Sequence, residues 1–112
     1  MKRIKKFYSV LLADDSEDDR LFTRLAFRNH PRLKIVEEVT NGEEAIAYLS
    51  GTGIYRDREK YPFPDLLLLD LKMPRFDGFE VLGWLQQQLF SGLKVVVVSG
   101  SFLPSDIARA LE

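Results

Sequence analysis

The chain has 112 residues, 46% of them hydrophobic, enough for one packed core and little more, so it reads as a single domain over residues 1–112. Sixteen Lys and Arg against seventeen Asp and Glu leave a formal charge of -1, which disfavours a purely electrostatic partner such as nucleic acid or an anionic membrane. With no Cys there is no disulfide framework, thiolate metal site or thiol nucleophile. No apolar run approaches the roughly 20 residues that cross a bilayer, so the cytoplasm is the expected compartment.

Residues 7–13 (FYSVLLA) form an aromatic and β-branched run that reads as a buried strand. It stops in Asp14-Asp15-Ser16-Glu17-Asp18-Asp19, five acids in six positions. Ser16 followed by Asp19 resembles a helix start, with acids on the positive end of the helix dipole, and Leu21, Phe22, Leu25 and Ala26 recur at helical spacing. His30-Pro31 ends that helix, because the residue before proline is pushed out of the α region. Leu33 to Val39 supplies a second, more polar strand, and Asn41-Gly42-Glu43-Glu44 opens a helix that Gly51 stops.

Residues 51–64 (GTGIYRDREKYPFP) read as a long surface loop. Leu66 to Leu69 is apolar without alternation, as expected of a central parallel strand covered on both faces, and it ends in Asp70. Residues 73–78 (MPRFDG) are a turn, after which Phe79, Val81, Leu82, Leu85 and Leu89 mark a third helix. Leu93 to Val98 is another continuously apolar strand, ending at Ser99-Gly100, and Pro104-Ser105-Asp106 looks like the first turn of a fourth helix. Strands alternating with helices imply a parallel sheet with right-handed crossovers.

In such a sheet ligands bind beyond the carboxyl ends of the strands, where the strand order reverses. Three strands end in groups capable of chemistry: Asp14 and Asp15, Asp70, and Ser99. Packed carboxylates repel one another unless a cation neutralises them, so a hard divalent ion is the economical explanation, with magnesium first. An acid at a strand end is often no more than the cap of the next helix, and Asp15, Ser16 and Asp18 fit that reading equally well. Asp70 differs, because a carboxylate held directly after four leucines is costly without a compensating partner.

Taken together, these residues resemble the receiver domain of two-component response regulators, from about Phe7 to the end of the chain. The resemblance implies a flavodoxin-like, doubly wound α/β fold with strand order 2-1-3-4. It makes Asp70 the phosphoryl acceptor and Asp14 and Asp15 the acidic pair that helps hold Mg2+. It gives the backbone carbonyl of Lys72 to the metal and makes Ser99 the hydroxyl that turns toward the phosphate. Gly100 matches the small residue that leaves the acyl phosphate accessible, and Pro74, Asp77 and Gly78 match the turn after the acceptor. The loop before Asp65 resembles that of stand-alone receivers partnered with phytochrome-type kinases.

The implied partners are a sensor histidine kinase or phosphotransfer protein and a downstream protein target, with no direct nucleic-acid or membrane contact. The expected activity is that of a phosphoacceptor rather than of an enzyme with a separate substrate. The family's fifth strand, with its lysine, and its last helix have no counterpart before Glu112, so the domain is expected to be C-terminally incomplete. On that expectation Val95 to Val98 is an open sheet edge suited to self-association, and the helix face carrying Phe22 and Leu25 is uncovered. The alternative is a receiver-like interaction module that does not transfer phosphate. A haloacid-dehalogenase-like phosphatase is disfavoured by Lys72 where that chemistry needs a second acid, and Gly51-Thr52-Gly53 lacks the third glycine of a nucleotide loop. The basic lead Lys2, Arg3, Lys5 and Lys6 reads as a solvated run.

Overall fold

The computed structural model describes residues 7–98. Its elements in chain order are β1 (Tyr8–Ala13), α1 (Glu17–Phe27), β2 (Leu33–Val39), α2 (Gly42–Ser50), a single 3-10 turn (Gly53–Tyr55), β3 (Leu66–Asp70), α3 (Gly78–Leu85) and β4 (Lys94–Val98). The four strands form one parallel sheet in the order β2-β1-β3-β4, as expected. The basic lead, Ser99, Gly100 and the helix start at Pro104 lie outside the described residues. The expectation of self-association through Val95 to Val98 depends on the residues after Val98, which lie outside them as well.

Each helix begins where a side chain can accept an otherwise unpaired N–H. Ser16 Oγ accepts from the Asp19 amide at 3.2 Å and Asn41 Oδ1 from the Glu44 amide at 2.9 Å. Asp77 and Glu80 form a reciprocal capping box at the start of α3. Gly51 closes α2 in the left-handed conformation, φ 67°, which glycine adopts without the Cβ penalty.

Alternation along the central strands divides the core into two layers. Val10, Leu12, Leu66 and Leu68 face α1 and pack with Phe27 and Leu33. Leu11, Ala13, Leu67 and Leu69 face α2 and α3 and pack with Tyr48, Leu49 and Val81. All four leucines of β3 are completely buried, as the run without alternation implies. At the amino ends of the strands, the Ser9 amide and hydroxyl donate to Asp65 Oδ2 at 2.9 and 3.1 Å, and the Lys94 amide donates to the Asp65 carbonyl at 3.0 Å. Asp65 therefore ties β1, β3 and β4 together.

Two expectations need correction or refinement, and a third, on α1, agrees with the structure. The third helix ends at Leu85 and does not reach Leu89, which is fully exposed. The chain turns at Gln86 to Gln88, and Phe90 packs instead on Phe63 and Trp84. In α1 Phe22 and Leu25 are exposed, as expected, together with Leu21, and the helix is buried through Thr23 and Phe27. Thr23 tolerates that place because its hydroxyl donates to the Asp19 carbonyl one turn back, at 2.9 Å. The loop over residues 51–64 is packed rather than loose: Tyr55 is buried and makes ring contacts with Tyr48 and Tyr61. Arg58 donates to the carbonyls of Leu49 and Tyr61 at 2.9 and 3.2 Å, and its guanidinium lies over the Tyr48 and Phe63 rings.

Candidate functional site

The strand order places the reversal point between β1 and β3. From β1 the chain crosses first to β2 on one side, and then to β3 and β4 on the other. Asp14 and Asp15 follow the carboxyl end of β1, and Asp70 is the last residue of β3. Their carboxylates converge: Asp14, Asp15 and Asp70 each offer an oxygen within 4.8 Å of the others. For comparison, opposite corners of a magnesium octahedron stand about 4 Å apart.

Asp14 is only 7% exposed. Burial, more than any other cause, pushes its carboxyl up to about 6; the negative charges of Asp70 and Asp19 add to the rise, and the Ser16 amide, donating to Oδ1 at 3.0 Å, opposes it. Asp70 is half-buried, and one of its oxygens accepts from the Lys72 amide at 3.0 Å. Asp15 is exposed, and its side chain makes no hydrogen bond or ion pair among the described residues. Three hard oxygen donors, one of them held in a dry environment that disfavours its own charge, suit a divalent cation bound through carboxylates and water.

A cavity of about 540 Å³ opens beside the acids, lined by Asp15, Asp19, Asp70, Leu71, Lys72, Phe79 and Val98. Lys72 stands at the cavity wall. Ser99 lies outside the described residues, although it comes directly after Val98 of the cavity wall in sequence.

Three features of the site went unread in the sequence. Asp19, which the sequence marks only as a helix-start acid, also lines the cavity, from the first turn of α1. Phe79 is largely exposed at the cavity wall, one residue after the helix start. The place of Phe79 directly after Gly78 is the one signal the sequence offers for it. Arg20 donates to the Asp14 carbonyl from Nη1 at 2.8 Å and to Glu38 from Nε at 3.2 Å, and nothing in the local sequence joins it to Glu38, eighteen residues away.

Comparison with known proteins agrees with this arrangement. The profile of the response regulator receiver domain matches residues 10–112. The nitrate/nitrite response regulator protein NarL of Escherichia coli (strain K12) is 33% identical over 104 residues, covering 93% of this chain and 43% of NarL. The chain therefore spans less than half the length of that relative. Among solved structures, the phosphorylated cyanobacterial phytochrome response regulator RcpA superposes with a TM-score of 0.73 at 33% identity, covering 93% of this chain and 73% of that one. The Mn(2+)-bound form of response regulator Rcp1 superposes with a TM-score of 0.72 at 30% identity, covering 92% and 73%. Among the described residues no helix is long and apolar enough to cross a membrane. On the family match, the strand order and these superpositions, the chain belongs to the response regulator receiver domains of two-component systems.

Proposed function

We propose that this domain accepts a phosphoryl group on Asp70 from a phosphohistidine of a sensor histidine kinase or phosphotransfer protein, with Mg2+ at Asp14, Asp15 and Asp70, and signals through protein contacts. The single observation that supports this reading most is the convergence of three carboxylates from two separate strand ends within 4.8 Å, beside a cavity. A bound divalent cation supplies charge neutralisation between the Asp70 carboxylate and the incoming phosphoryl oxygens, the main requirement of this chemistry.

The residues of the chain supply the rest. An Asp70 carboxylate oxygen forms the new O–P bond as the N–P bond of the donor breaks, and the imidazole leaves with the electron pair. The Lys72 amide, bonded to Asp70 Oδ1, orients that carboxylate. The Lys72 backbone carbonyl is proposed as a further metal ligand. Ser99 is proposed as the hydroxyl that donates to a phosphoryl oxygen and couples phosphorylation to the segment after it.

Incubation with a small acyl phosphate and Mg2+, read by intact mass, tests the reading. The wild-type chain is expected to gain one phosphoryl group, labile to hydroxylamine, and Asp70→Asn to gain none. Absence of uptake by the wild type would favour the interaction module that does not transfer phosphate.

A further inference from the structure

The two acids that the β1–α1 turn brings to the carboxylate cluster are held differently. Asp14 is buried and bonded, whereas Asp15 is exposed. What places Asp15 is the planar peptide that joins it to Asp14. The carbonyl of that peptide accepts from Arg20 Nη1 at 2.8 Å, while on the other side of the Asp14 Cα the Asp14 amide donates to the Val39 carbonyl of β2 at 3.0 Å. The backbone of the acidic turn is therefore fixed from both sides, one anchor being a single guanidinium.

That guanidinium is itself fixed. Arg20 Nε donates to Glu38 Oε1 at 3.2 Å, and Arg24 donates to the same oxygen. The Arg20 and Glu38 side chains are only 15% and 23% exposed, so the pair is largely removed from the solvent screening that weakens surface ion pairs.

Glu38 reaches α1 because of an irregularity in β2. The register runs Val10↔Ile35 and then Leu11↔Glu37, leaving Val36 as an extra residue. Leu33 and Ile35 belong to the layer facing α1, whereas Val36 and Val39 belong to the layer facing α2 and α3. The bulge thus reverses the parity of the strand and turns Glu38 toward α1, where an unbroken strand would have directed Glu37.

We propose that Arg20 is a positioning residue for the acidic site, holding the Asp14–Asp15 peptide so that Asp15 meets the cation, with Glu38 holding the guanidinium in its fork. The proposal rests on the reading of the three carboxylates as a divalent-cation site. It gives Arg20 an effect opposite in sign to its charge. A nearby cation repels a metal ion, so removing it should tighten binding if charge were all that mattered; loss of positioning weakens binding.

Titration of the whole chain with Mn2+ by calorimetry separates these outcomes. Arg20→Gln is expected to bind at least threefold more weakly than wild type. Arg24→Gln, which removes the same charge from the same glutamate without touching Asp14, is expected to bind as tightly as wild type or more so. Arg20→Lys, which keeps the charge but not the two-way fork, is expected to remain weaker than wild type. In metal-free protein, amide exchange at Asp15 and Ser16 should accelerate in Arg20→Gln and not in Arg24→Gln. Should Arg20→Gln fail to fold, Arg20→Lys decides, because the charge is kept and weaker Mn2+ binding then reports lost positioning. Equal or tighter binding by Arg20→Gln would overturn the proposal, as would wild-type affinity in Arg20→Lys if that variant has to stand in. A wild-type chain that binds no Mn2+ would instead remove the cation site on which the proposal rests.

Discussion

A Cβ added at Gly78 would stand 2.5 Å from the carbonyl oxygen of Asp70 and 2.6 Å from the Cα of Leu71. The start of α3 therefore lies against the backbone of the proposed acceptor, with the Gly78 amide donating to the Leu71 carbonyl at 3.3 Å. Neither obstacle is a flexible side chain, so any other residue must move backbone at the end of β3. Gly78→Ala is expected to destabilise the domain by about 1–3 kcal/mol and to weaken divalent-cation binding. Urea unfolding and metal titration of the same variant check both effects.

Asp14 makes the metal-free protein sensitive to pH. Its carboxyl is raised from 3.8 to about 6, so between those values the folded state holds more protons than the unfolded state. Stability from this group is therefore greatest at acid pH and is lost as pH rises toward and through about 6. At neutral pH, Asp14→Asn should stabilise the metal-free domain while removing a proposed ligand, and a rise in melting temperature with loss of metal binding is the expected pair of results. Carboxyl NMR of wild type should show Asp14 titrating near 6 and shifting downward when Mg2+ is added.

Arg58 secures the packed loop. Its guanidinium bonds two carbonyls and covers two aromatic rings, and the Tyr48 hydroxyl donates to the Pro62 carbonyl at 2.8 Å. Arg58→Ala leaves the Leu49 and Tyr61 carbonyls without that donor and is expected to cost about 1–3 kcal/mol. Amide exchange should quicken over residues 52–63 and stay unchanged in β1 and β3.

The exposure of Leu89 and the burial of Val81 give a direct check on where α3 ends. Leu89→Ser should change stability by no more than about 0.5 kcal/mol. Val81→Ala, beneath the sheet, should cost roughly 1–3 kcal/mol. Chemical denaturation of the two variants distinguishes this ending from a helix that continues to Leu89.

The parts of the fold legible in sequence are those governed by short-range patterns. The leucines of β3 and the acids at the ends of β1 and β3 could be read directly, as could the caps at Ser16 and Asn41, whereas Asp77 reads only as part of a turn. Parity and packing were not legible. One extra residue at Val36 reverses which side of β2 each acid faces, so alternation alone misassigns Glu37 and Glu38. The helical repeat at Leu21, Phe22 and Leu25 marks α1, but the burial of Thr23 does not show in it, because that residue satisfies its hydroxyl within the helix. Leu89 continues the apolar spacing of α3, yet the chain leaves the helix at Gln86 and Phe90 takes the place against Trp84. Cavity acids such as Asp19 show only when the turn's path is known.

The central claim is that Asp14, Asp15 and Asp70 act together as one divalent-cation site, and its most direct test is an Mn2+ titration followed by electron paramagnetic resonance. The wild-type chain should bind one ion, and Asp14→Asn, Asp15→Asn and Asp70→Asn should each weaken binding at least about tenfold, close to the effect of losing a carboxylate's charge-assisted contact. Asp19→Asn, which alters the same cavity without removing one of the three, should have a smaller effect. Wild-type affinity retained in all three variants would contradict the account.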